Sequence, residues 1–589
     1  MKSIIAFLLL FFIACIAHAE IKPKPGAKLN YTQVMLEYDM IDEASEYVIE
    51  ISAGKIGEGN LELIKSVKDN STATLIEGLH FGSFYVWKYA GIVAGKQTEW
   101  KGPFGFSIEI DTTIGLNKPR FKVSKNDEEK SKKGLVAVGS SKTIIDKNGN
   151  PVWYIPKLDS KIYIEQSNIT EFRMSDIGTV LLYSSTGFSN GISLVCETDL
   201  QGKILWKAPN DGQVSGDTSE YYHHDFKRMA NGNYMVLGCK YGWRNVPDDI
   251  SLKNIRKINI DSLSKPRRVK YLFNTIIEYN KVGKVVWFWD LNEHVTDEEL
   301  FAKGVVTDAI RRELPPRAEL YGHMNSFDAD QEGKFVYANF RETNEVIKIQ
   351  KSTGKIVQRY KGKNDFPEDS KEINFMSQHD VNLLPNGNIS LFNNGVATNT
   401  TQPSRAIEFT QTEGKEPGKI VWSFSCKMDS TNNGKTVRYG GVQDLGDGHK
   451  LISMGSLNRM VEVDSKDNSI LWDCKFLQRH EVGDKSIALY RVHFTTSLYP
   501  CYFTSQWKTN KEKGSRELII FNEGSLSDSY VLNVFSLKGT LVKTVQLGEI
   551  EAGKEGVFDA LKTGYSGPQK DLKMEVVSLK NSDLRRSIK

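Results

Sequence analysis

The stretch HDVNLLPNGNISLFNN, residues 379–394, contains two short apolar runs joined by the pair Asn386-Gly387. Asn-Gly between alternating apolar residues is the strongest short-range signal for a β-hairpin. Related hairpin stretches are HDFKRMANGNYMVLGC (224–239), HMNSFDADQEGKFVYANF (323–340) and VQDLGDGHKLISMG (442–455). The hairpin therefore recurs along the chain, which is typical of repeat architectures.

A second strand pair alternates with these hairpins and consists of a β run, a turn and a short apolar run. Six copies end near Trp153, Trp206, Trp287, Gln358, Trp422 and Trp472. Two hairpins make one four-stranded blade. Six such units predict a six-bladed β-propeller over residues 116–505. The insert 294–320 interrupts the repeat, and its Thr296-Asp297 start predicts a short helical excursion.

The regions outside the repeat also alternate apolar and polar residues. Runs such as YVIEIS (47–52) predict an N-terminal immunoglobulin- or fibronectin-like β-sandwich over residues 20–115. Runs such as ELIIFNEG (517–524) predict a small C-terminal β module and tail over residues 506–589. The expected fold class is therefore all-β throughout.

The first 19 residues, MKSIIAFLLLFFIACIAHA, have the pattern of a signal peptide, with a basic start, an apolar run and a small-x-small end. We expect cleavage before Glu20 and a periplasmic or secreted protein. A lipoprotein anchored at Cys15 is the weaker alternative, because Phe12 stands where a lipobox normally has Leu. No other long apolar run occurs, so stable membrane insertion is not expected.

Bulk composition excludes several classes of protein. The 589 residues include 77 basic and 73 acidic ones, a net charge of +4, which gives no case for nucleic-acid binding. The chain is 25% charged and 39% hydrophobic, as a folded protein is. Five cysteines follow the signal peptide and none lies in a CxxC pair, which argues against zinc-binding or redox roles.

Three histidines, His224, His323 and His379, stand at the starts of hairpins. Equivalent repeat positions in a propeller converge around the central axis. A single histidine at the start of a strand is usually a capping or packing residue, but three at one repeat position indicate a functional cluster. His223 precedes His224 and is an ambiguity, although the repeat pattern His-Asp-apolar favours His224.

Strand geometry extends this cluster. His323 and Asn325 are two residues apart and are expected to face the same side. Counting outward from the turn pairs His323 with Arg341, and a similar count puts Asn394 opposite His379.

The aspartates that follow two of the histidines, Asp225 and Asp380, are expected to face away from these imidazoles. They are expected to cap the strand starts or to bond backbone groups.

This set of side chains suits an anionic substrate. Arginine presents a planar fork of donors to a tetrahedral oxyanion, and imidazoles act as nucleophile, acid or base near neutral pH. No carboxylate pair, GxSxG motif or Gly-rich phosphate loop is evident. Three histidines could bind a metal, but an arginine among them would repel a divalent cation, so neither metal nor cofactor is expected.

The chain resembles the bacterial arylsulfate sulfotransferases, which do not use the nucleotide donor PAPS. The resemblance covers about 115–500 and rests on three motifs, HHDFKRMANGN, the pair HMNS…NFRETN, and SQHDVNLLPNGNISLFNNG. It implies a six-bladed propeller whose central site moves a sulfuryl group from an aryl sulfate to a phenol through a sulfohistidine. The C-terminal 75 or so residues do not align with the family.

Carried over by motif, the resemblance implies that His379 is the nucleophile. It implies that His323, Asn325 and Arg341 bind the sulfuryl group and serve acid/base roles, and that His224 is the third active-site histidine, catalytic and substrate-binding. Which of His323 and His224 is the general acid/base stays open. A homodimer is compatible with the resemblance. The alternative function is a non-catalytic propeller that binds sulfated or anionic glycans.

Overall fold

The structure is a computed structural model, and more than half of its residues are in strands. It describes residues 21–110, 119–158, 169–185, 193–248, 260–261, 263–301, 319–362, 371–396, 399, 401–412, 418–480, 483–485, 489–510, 515–559 and 572–588. The expected signal peptide, residues 1–19, lies outside the described residues. The chain forms two compact units, one from 110–501 with 579–582 and the other from 1–109, 502–578 and 583–589.

Among the described residues, the first of these units contains six separate sheets. The first sheet consists of Leu135–Val138, Thr143–Asp146, Pro151–Tyr154 and Val492–Thr495. The second consists of Ile169–Met174, Val180–Ser185, Ser193–Thr198 and Ile204–Lys207. The third consists of Tyr221–Arg228, Tyr234–Asn245, Ile260–Asp261, Arg268–Tyr279, Val285–Asp290 and Glu319–Tyr321.

The remaining three sheets follow in chain order. The fourth consists of Met324–Ala329, Phe335–Phe340, Glu345–Gln350 and Ile356–Lys361. The fifth consists of His379–Leu383, Ile389–Asn393, Arg405–Phe409 and Ile420–Ser425. The sixth consists of Pro119–Asn126, Gly441–Gly446, His449–Ser453, Arg459–Asp464, Ile470–His480 and Gly483–Lys485. Short 3-10 turns cover Gly139–Ser141, Leu291–Glu293, Thr431–Gly434 and Gly455–Leu457.

Two strands connect the beginning and the end of this unit. Val492–Thr495 pairs with Leu135–Val138 and so completes the first sheet from the far end of the chain. Pro119–Asn126 pairs with Ile470–His480 and so extends the sixth sheet from the near end. Because each strand joins a sheet about 350 residues away in sequence, the series of sheets is tied together at its two ends.

The tryptophans of the repeat join neighbouring sheets. The indole N–H of Trp153 donates to Leu200 O at 2.8 Å. The indole of Trp472, in the sixth sheet, donates to Lys147 O of the first-sheet hairpin at 2.7 Å. Both indoles are fully buried. Each bond gives the buried indole N–H a partner, without which its burial would cost free energy.

The second unit is also built from β-strands. Its N-terminal strands are Ala27–Leu29, Val34–Glu37, Glu46–Ala53, Glu62–Asp69, Ala73–Ile76, Ser83–Val93, Lys96–Gln97 and Lys101–Ile108. Its C-terminal strands are Phe503–Asn510, Ser515–Asn522, Asp528–Ser536, Leu541–Ile550, Glu555–Asp559, Leu572–Ser578 and Arg585–Ile588. The buried carboxylate of Glu37 bonds the Tyr502 hydroxyl and pairs with Arg586 at 2.9 Å. The two ends of the chain therefore share one unit.

The expected all-β class is confirmed, and the insert 294–320 begins as expected. A helix covers Asp297–Phe301, and Thr296 precedes it. The Thr296 hydroxyl accepts from Glu299 N at 3.1 Å, while the Glu299 carboxylate accepts from Thr296 N at 3.0 Å, which is a capping box. Residues 302–318 lie outside the described part. No helix among the described residues is long and apolar enough to cross a membrane.

Candidate active site

One strand from each of the third to sixth sheets takes part in a series of side chain to backbone bonds. These strands are Tyr221–Arg228, Met324–Ala329, His379–Leu383 and Gly441–Gly446. Asp225 Oδ2 accepts from Phe327 N at 3.2 Å, and Ser326 Oγ accepts from Val381 N at 3.0 Å. These bonds connect the third sheet to the fourth and the fourth to the fifth.

The next bond in this series connects the fifth sheet to the sixth. Asp380 Oδ2 accepts from Val442 N at 2.9 Å. This bond requires the backbone at Gly441 to lie close to Asp380, since a Cβ added at Gly441 would lie 2.5 Å from the Asp380 carboxylate. The expectation that Asp225 and Asp380 bond backbone groups is confirmed, and the strand starts that carry the histidines are drawn together.

These bonds also show which residues occupy equivalent positions. The residues before Asp225, Ser326 and Asp380 are His224, Asn325 and His379. The expectation that His323 shares the repeat position of His224 and His379 is therefore wrong, because Asn325 takes that place.

A backbone irregularity explains this offset. Met324 pairs with Phe340 and Ser326 with Asn339, so Asn325 is an extra residue in a bulge. His323 has φ +47°, which also breaks the alternation of a regular strand. The pairing of His323 with Arg341 is nevertheless close to the prediction, since Arg341 N donates to His323 O at 3.1 Å.

His379 is buried at the start of the fifth sheet, with 4% of its surface exposed. By backbone register it lies opposite Phe392 instead of Asn394, because a bulge follows it. Its side chain still reaches Asn394, with Nδ1 2.7 Å from the amide oxygen Oδ1.

The Asn394 amide determines which nitrogen of His379 carries the proton. Asn394 Nδ2 donates to Thr436 O at 3.0 Å and to Tyr439 O at 2.9 Å, so the amide oxygen faces the imidazole. An amide oxygen only accepts, and therefore His379 Nδ1 carries the hydrogen and Nε2 keeps its lone pair. The partner of Nε2 is the Tyr439 backbone N–H, at a long 3.4 Å.

Burial and neighbouring positive charge keep His379 neutral. Desolvation is the largest cause that lowers the pKa of His379, to about 3, and the charges of Arg341, His323 and Arg491 act in the same direction. The hydrogen bond to Asn394 opposes them. At neutral pH the imidazole is therefore an uncharged nucleophile or acceptor.

His323 lies beside a carboxylate that the sequence did not single out. Its Nδ1 is 3.5 Å from Glu342 Oε1, and both side chains are less than one-fifth exposed. Arg341, half-buried, directs Nη2 to Val437 O at 3.4 Å. The Glu342 carboxylate therefore places a negative charge beside His323, whereas His379 faces a neutral amide.

His224 is half-buried and packs on His323, with ring centroids 5.0 Å apart. Its backbone φ is +55°, an uncommon value for a residue with a side chain. Its Nδ1 is 2.8 Å from Nδ1 of the buried His223. Burial lowers the pKa of His224 well below its usual value, and the nearby charges of His323, His223, Arg491 and His379 lower it further.

Asn325 is fully buried, and its amide belongs to a network inside the sheet edge. Nδ2 donates to Gln378 O at 2.9 Å, and Oδ1 accepts from Asn339 Nδ2 at 2.7 Å. In this arrangement the amide braces the strands that carry His323 and His379.

Arg491 joins several strands beneath the histidines. Its side chain is 1% exposed; Nη2 donates to Asn325 O at 2.6 Å, Nη1 is 3.3 Å from Asp225 Oδ2 and Nε is 3.2 Å from Asp380 Oδ1. Burial alone would lower the pKa of Arg491, but Tyr490 and the carboxylates hold it well above its usual value. Only the fold brings these residues together, so no local motif could have indicated the group.

Tyr439 is the other site residue that sequence reasoning missed. Its ring lies 6.4 Å from that of His379 and 5.4 Å from that of Tyr490, with edge-on geometry in both pairs. Tyr490 is in turn 6.1 Å from His224. The sequence signal was the RYGG segment before the last hairpin, in which Tyr439 has φ +67°. The rings of Tyr439 and Tyr490 therefore form a continuous contact from His379 to His224.

The site thus combines a neutral imidazole of fixed tautomer, a histidine–carboxylate pair and an arginine. Within the described part of the chain, no three His, Cys, Asp or Glu side chains are placed to hold a metal ion. Such a set is suited to transferring an anionic group between nitrogen and oxygen atoms.

Comparison with known families agrees with this class of site. The family model of the arylsulfotransferases (ASST) matches residues 121–476, more than half of the chain. The chain belongs to the arylsulfotransferase family, and the resemblance seen in its motifs is confirmed. At the level of the family, it is a sulfotransferase enzyme.

Other comparisons are more distant, and no curated protein matches the chain significantly. A protein of unknown function from Bacteroides caccae aligns with TM-score 0.34 and 14% identity, covering 62% of this chain and 98% of that one. A functionally unknown protein from Desulfotomaculum acetoxidans gives 0.28 and 11%, covering 73% and 99%. The β-propeller domain of Cps50 (Swd1) from Myceliophteria thermophila gives 0.20 and 10%, covering 56% and 82%. These TM-scores are too low to carry an argument about this chain.

Proposed function

We propose that the protein transfers a sulfuryl group from an aryl sulfate to a phenol, without PAPS, by a ping-pong reaction through a sulfated His379. The observation that carries the proposal is the fixed tautomer of His379. Asn394 holds the proton on Nδ1, and burial keeps the ring neutral, so the lone pair of Nε2 can exchange its long 3.4 Å contact with the Tyr439 N–H for a bond to sulfur.

In the first half-reaction, Nε2 of His379 forms a bond to sulfur as the bond from sulfur to the aryl oxygen breaks. The aryl oxygen leaves with the bonding electrons and takes a proton from the imidazolium of His323. Glu342 Oε1, 3.5 Å from Nδ1 of His323, places a negative charge beside this proton donor. The product is a phenol and an N-sulfated His379, whose positive ring still donates Nδ1–H to Asn394.

The second half-reaction reverses these roles. The acceptor phenol gives its proton to the imidazole that accepts its hydroxyl hydrogen bond, His323 or His224, and its oxygen forms the new bond to sulfur. The nitrogen–sulfur bond breaks, and its electron pair returns to Nε2 of His379. Arg341 supplies the positive charge that the equatorial sulfuryl oxygens need in both steps, as positioned cations do in loose group transfers.

The resemblance implied that Asn325 binds the sulfuryl group, but its amide is bonded within the protein. Its amide bonds Gln378 and Asn339, and its carbonyl oxygen accepts from Arg491. We therefore propose that Asn325 positions the strands of His323 and His379. Substrate contact is assigned to Arg341, His323 and His224.

We propose a six-bladed propeller as the scaffold for residues 116–505. The six sheets, the strands that tie the two ends together and the bond from Trp472 to Lys147 support it. We further propose that residues 20–115 and 506–589 form the flanking β regions, and that the signal peptide of residues 1–19 directs export. N-terminal sequencing of the exported protein tests the cleavage before Glu20.

The decisive experiment is to trap the sulfated enzyme. The protein is mixed with p-nitrophenyl sulfate without an acceptor, quenched under alkaline conditions, digested and analysed by mass spectrometry. We expect one added SO₃ on the peptide that contains His379, removed when a phenol is added before the quench. Binding of sulfated compounds with neither a sulfated peptide nor transfer would reject the proposal in favour of an anion-binding propeller.

A further inference from the structure

His223 and His224 form a hydrogen-bonded pair whose direction follows from its outer partner. Nε2 of His223 lies 3.1 Å from the carbonyl oxygen of Gly238, which can only accept. Nε2 of His223 therefore carries a hydrogen.

The state of His223 determines the next bond. Desolvation lowers the pKa of His223 to about 4, so the ring is neutral at pH 7 and has one hydrogen only. With that hydrogen on Nε2, its Nδ1 must be an acceptor. The contact of 2.8 Å between the two Nδ1 atoms is then a bond from His224 to His223.

The remaining nitrogen of His224 is consequently defined. Nε2 lies on the opposite side of the ring from the bond to His223, and the ring packs against His323 and Tyr490. With its single hydrogen on Nδ1, neutral His224 has an unprotonated Nε2 on a partly exposed ring beside His323 and Tyr490. An unprotonated nitrogen accepts a hydrogen bond from a neutral hydroxyl but cannot donate one to a sulfuryl oxygen.

We propose that His223 is a positioning residue that holds His224 as a hydrogen-bond acceptor for the hydroxyl group of the acceptor phenol. This inference rests on the proposed function, because it assigns His224 to the second half-reaction. The acceptor is thus bound as a protonated phenol, and the donor sulfate is bound mainly by Arg341 and His323.

Three variants at position 223 separate this role from simple packing. His223→Asn retains an acceptor oxygen near the place of Nδ1. His223→Phe retains a ring without nitrogen, and His223→Leu retains only apolar bulk. Thermal unfolding of each variant verifies that the fold is intact.

The first readout is spectroscopic and needs no substrate. In long-range ¹H–¹⁵N spectra of protein labelled at histidine nitrogens, we expect His224 at pH 7 to have a protonated Nδ1 and an unprotonated Nε2. His223→Asn should retain that pattern, whereas His223→Phe should shift it toward the other tautomer. A wild-type His224 protonated on Nε2 would overturn the inference and leave the proposed reaction untouched.

The second readout compares the two half-reactions. The burst of p-nitrophenol without acceptor should change by less than about threefold in His223→Phe, while kcat/KM for the acceptor phenol should fall about 10- to 100-fold, as for loss of one positioned acid/base partner. His223→Asn should recover most of the loss. An equal fall in both half-reactions would overturn the assignment to the acceptor. Absence of any burst in the wild type would reject the ping-pong reaction instead, and the tautomer result would still stand.

Discussion

The two sides of the site hold their histidines with different partners. His379 bonds a neutral amide, is almost fully buried and has its pKa lowered to about 3. His323, on the other side, is partly exposed and faces the carboxylate of Glu342 at 3.5 Å. An amide can fix a tautomer without adding charge, whereas a carboxylate places a negative charge beside the ring. The contrast is compatible with the roles proposed above, a nucleophile on one side and a proton carrier on the other.

The largest effect is expected from removing the nucleophile. His379→Ala should lower the turnover of p-nitrophenyl sulfate by at least about 10³-fold, since no other side chain replaces a covalent nucleophile. Steady-state assays measure this. The matched control is His449→Ala, because His449 bonds the carboxylate of Glu462 at 2.7 Å, outside the site. His449→Ala should keep turnover within about twofold. Near-normal turnover in folded His379→Ala would contradict the assignment.

Removal of Arg341, the cation proposed to bind the sulfuryl oxygens, should have the next largest effect. Arg341→Ala should reduce kcat for aryl sulfates by about 10²- to 10³-fold, the usual loss for one transition-state donor. Arg341→Lys should recover only part of this, because an ammonium group lacks the planar fork. The kcat values of the two variants measure the difference. Full activity of both variants would show that Arg341 does not stabilise the transition state.

Glu342→Gln tests the proposed role of His323 as the proton donor. The change removes the negative charge beside His323, the proposed proton donor, and should lower kcat by about tenfold at pH 7. The loss should be larger for phenols that are poor leaving groups, because these need the proton most. Assays with a series of substituted aryl sulfates measure this slope. A loss independent of the leaving group would show that Glu342 acts only on folding or binding.

The last effect concerns stability, not turnover, as a function of pH. The folded-state pKa of His379, about 3, is lower than that of an unfolded histidine, 6.5, so only the unfolded chain gains this proton as pH falls. The free energy of unfolding should therefore fall between pH 6.5 and pH 4, by up to about 3 kcal/mol from this residue.

Denaturant unfolding of the wild type and of His379→Gln at several pH values measures this contribution. The decrease should be shallower in His379→Gln, in which the titrating group is missing. The same slope in both proteins would mean that His379 is not held neutral in the folded state.

The sequence by itself determined the all-β class, the recurring hairpins, the family and the histidines and arginine that the site contains. These follow from local patterns, because Asn-Gly turns and alternating apolar residues act over a few neighbouring positions. It also predicted correctly that Asn394 would lie near His379 and that Asp225 and Asp380 would bond backbone groups.

Only the tertiary structure decided how those residues are used. Bulges at Asn325 and after His379 shifted the register, and no turn signal marks them. The tautomers of His379 and His224 depend on the partners of Asn394 and His223, and the Arg491 group joins strands separated by more than a hundred residues. Hydrogen-bond direction depends on three-dimensional neighbours, so the roles of these side chains become defined only when the sheets are assembled.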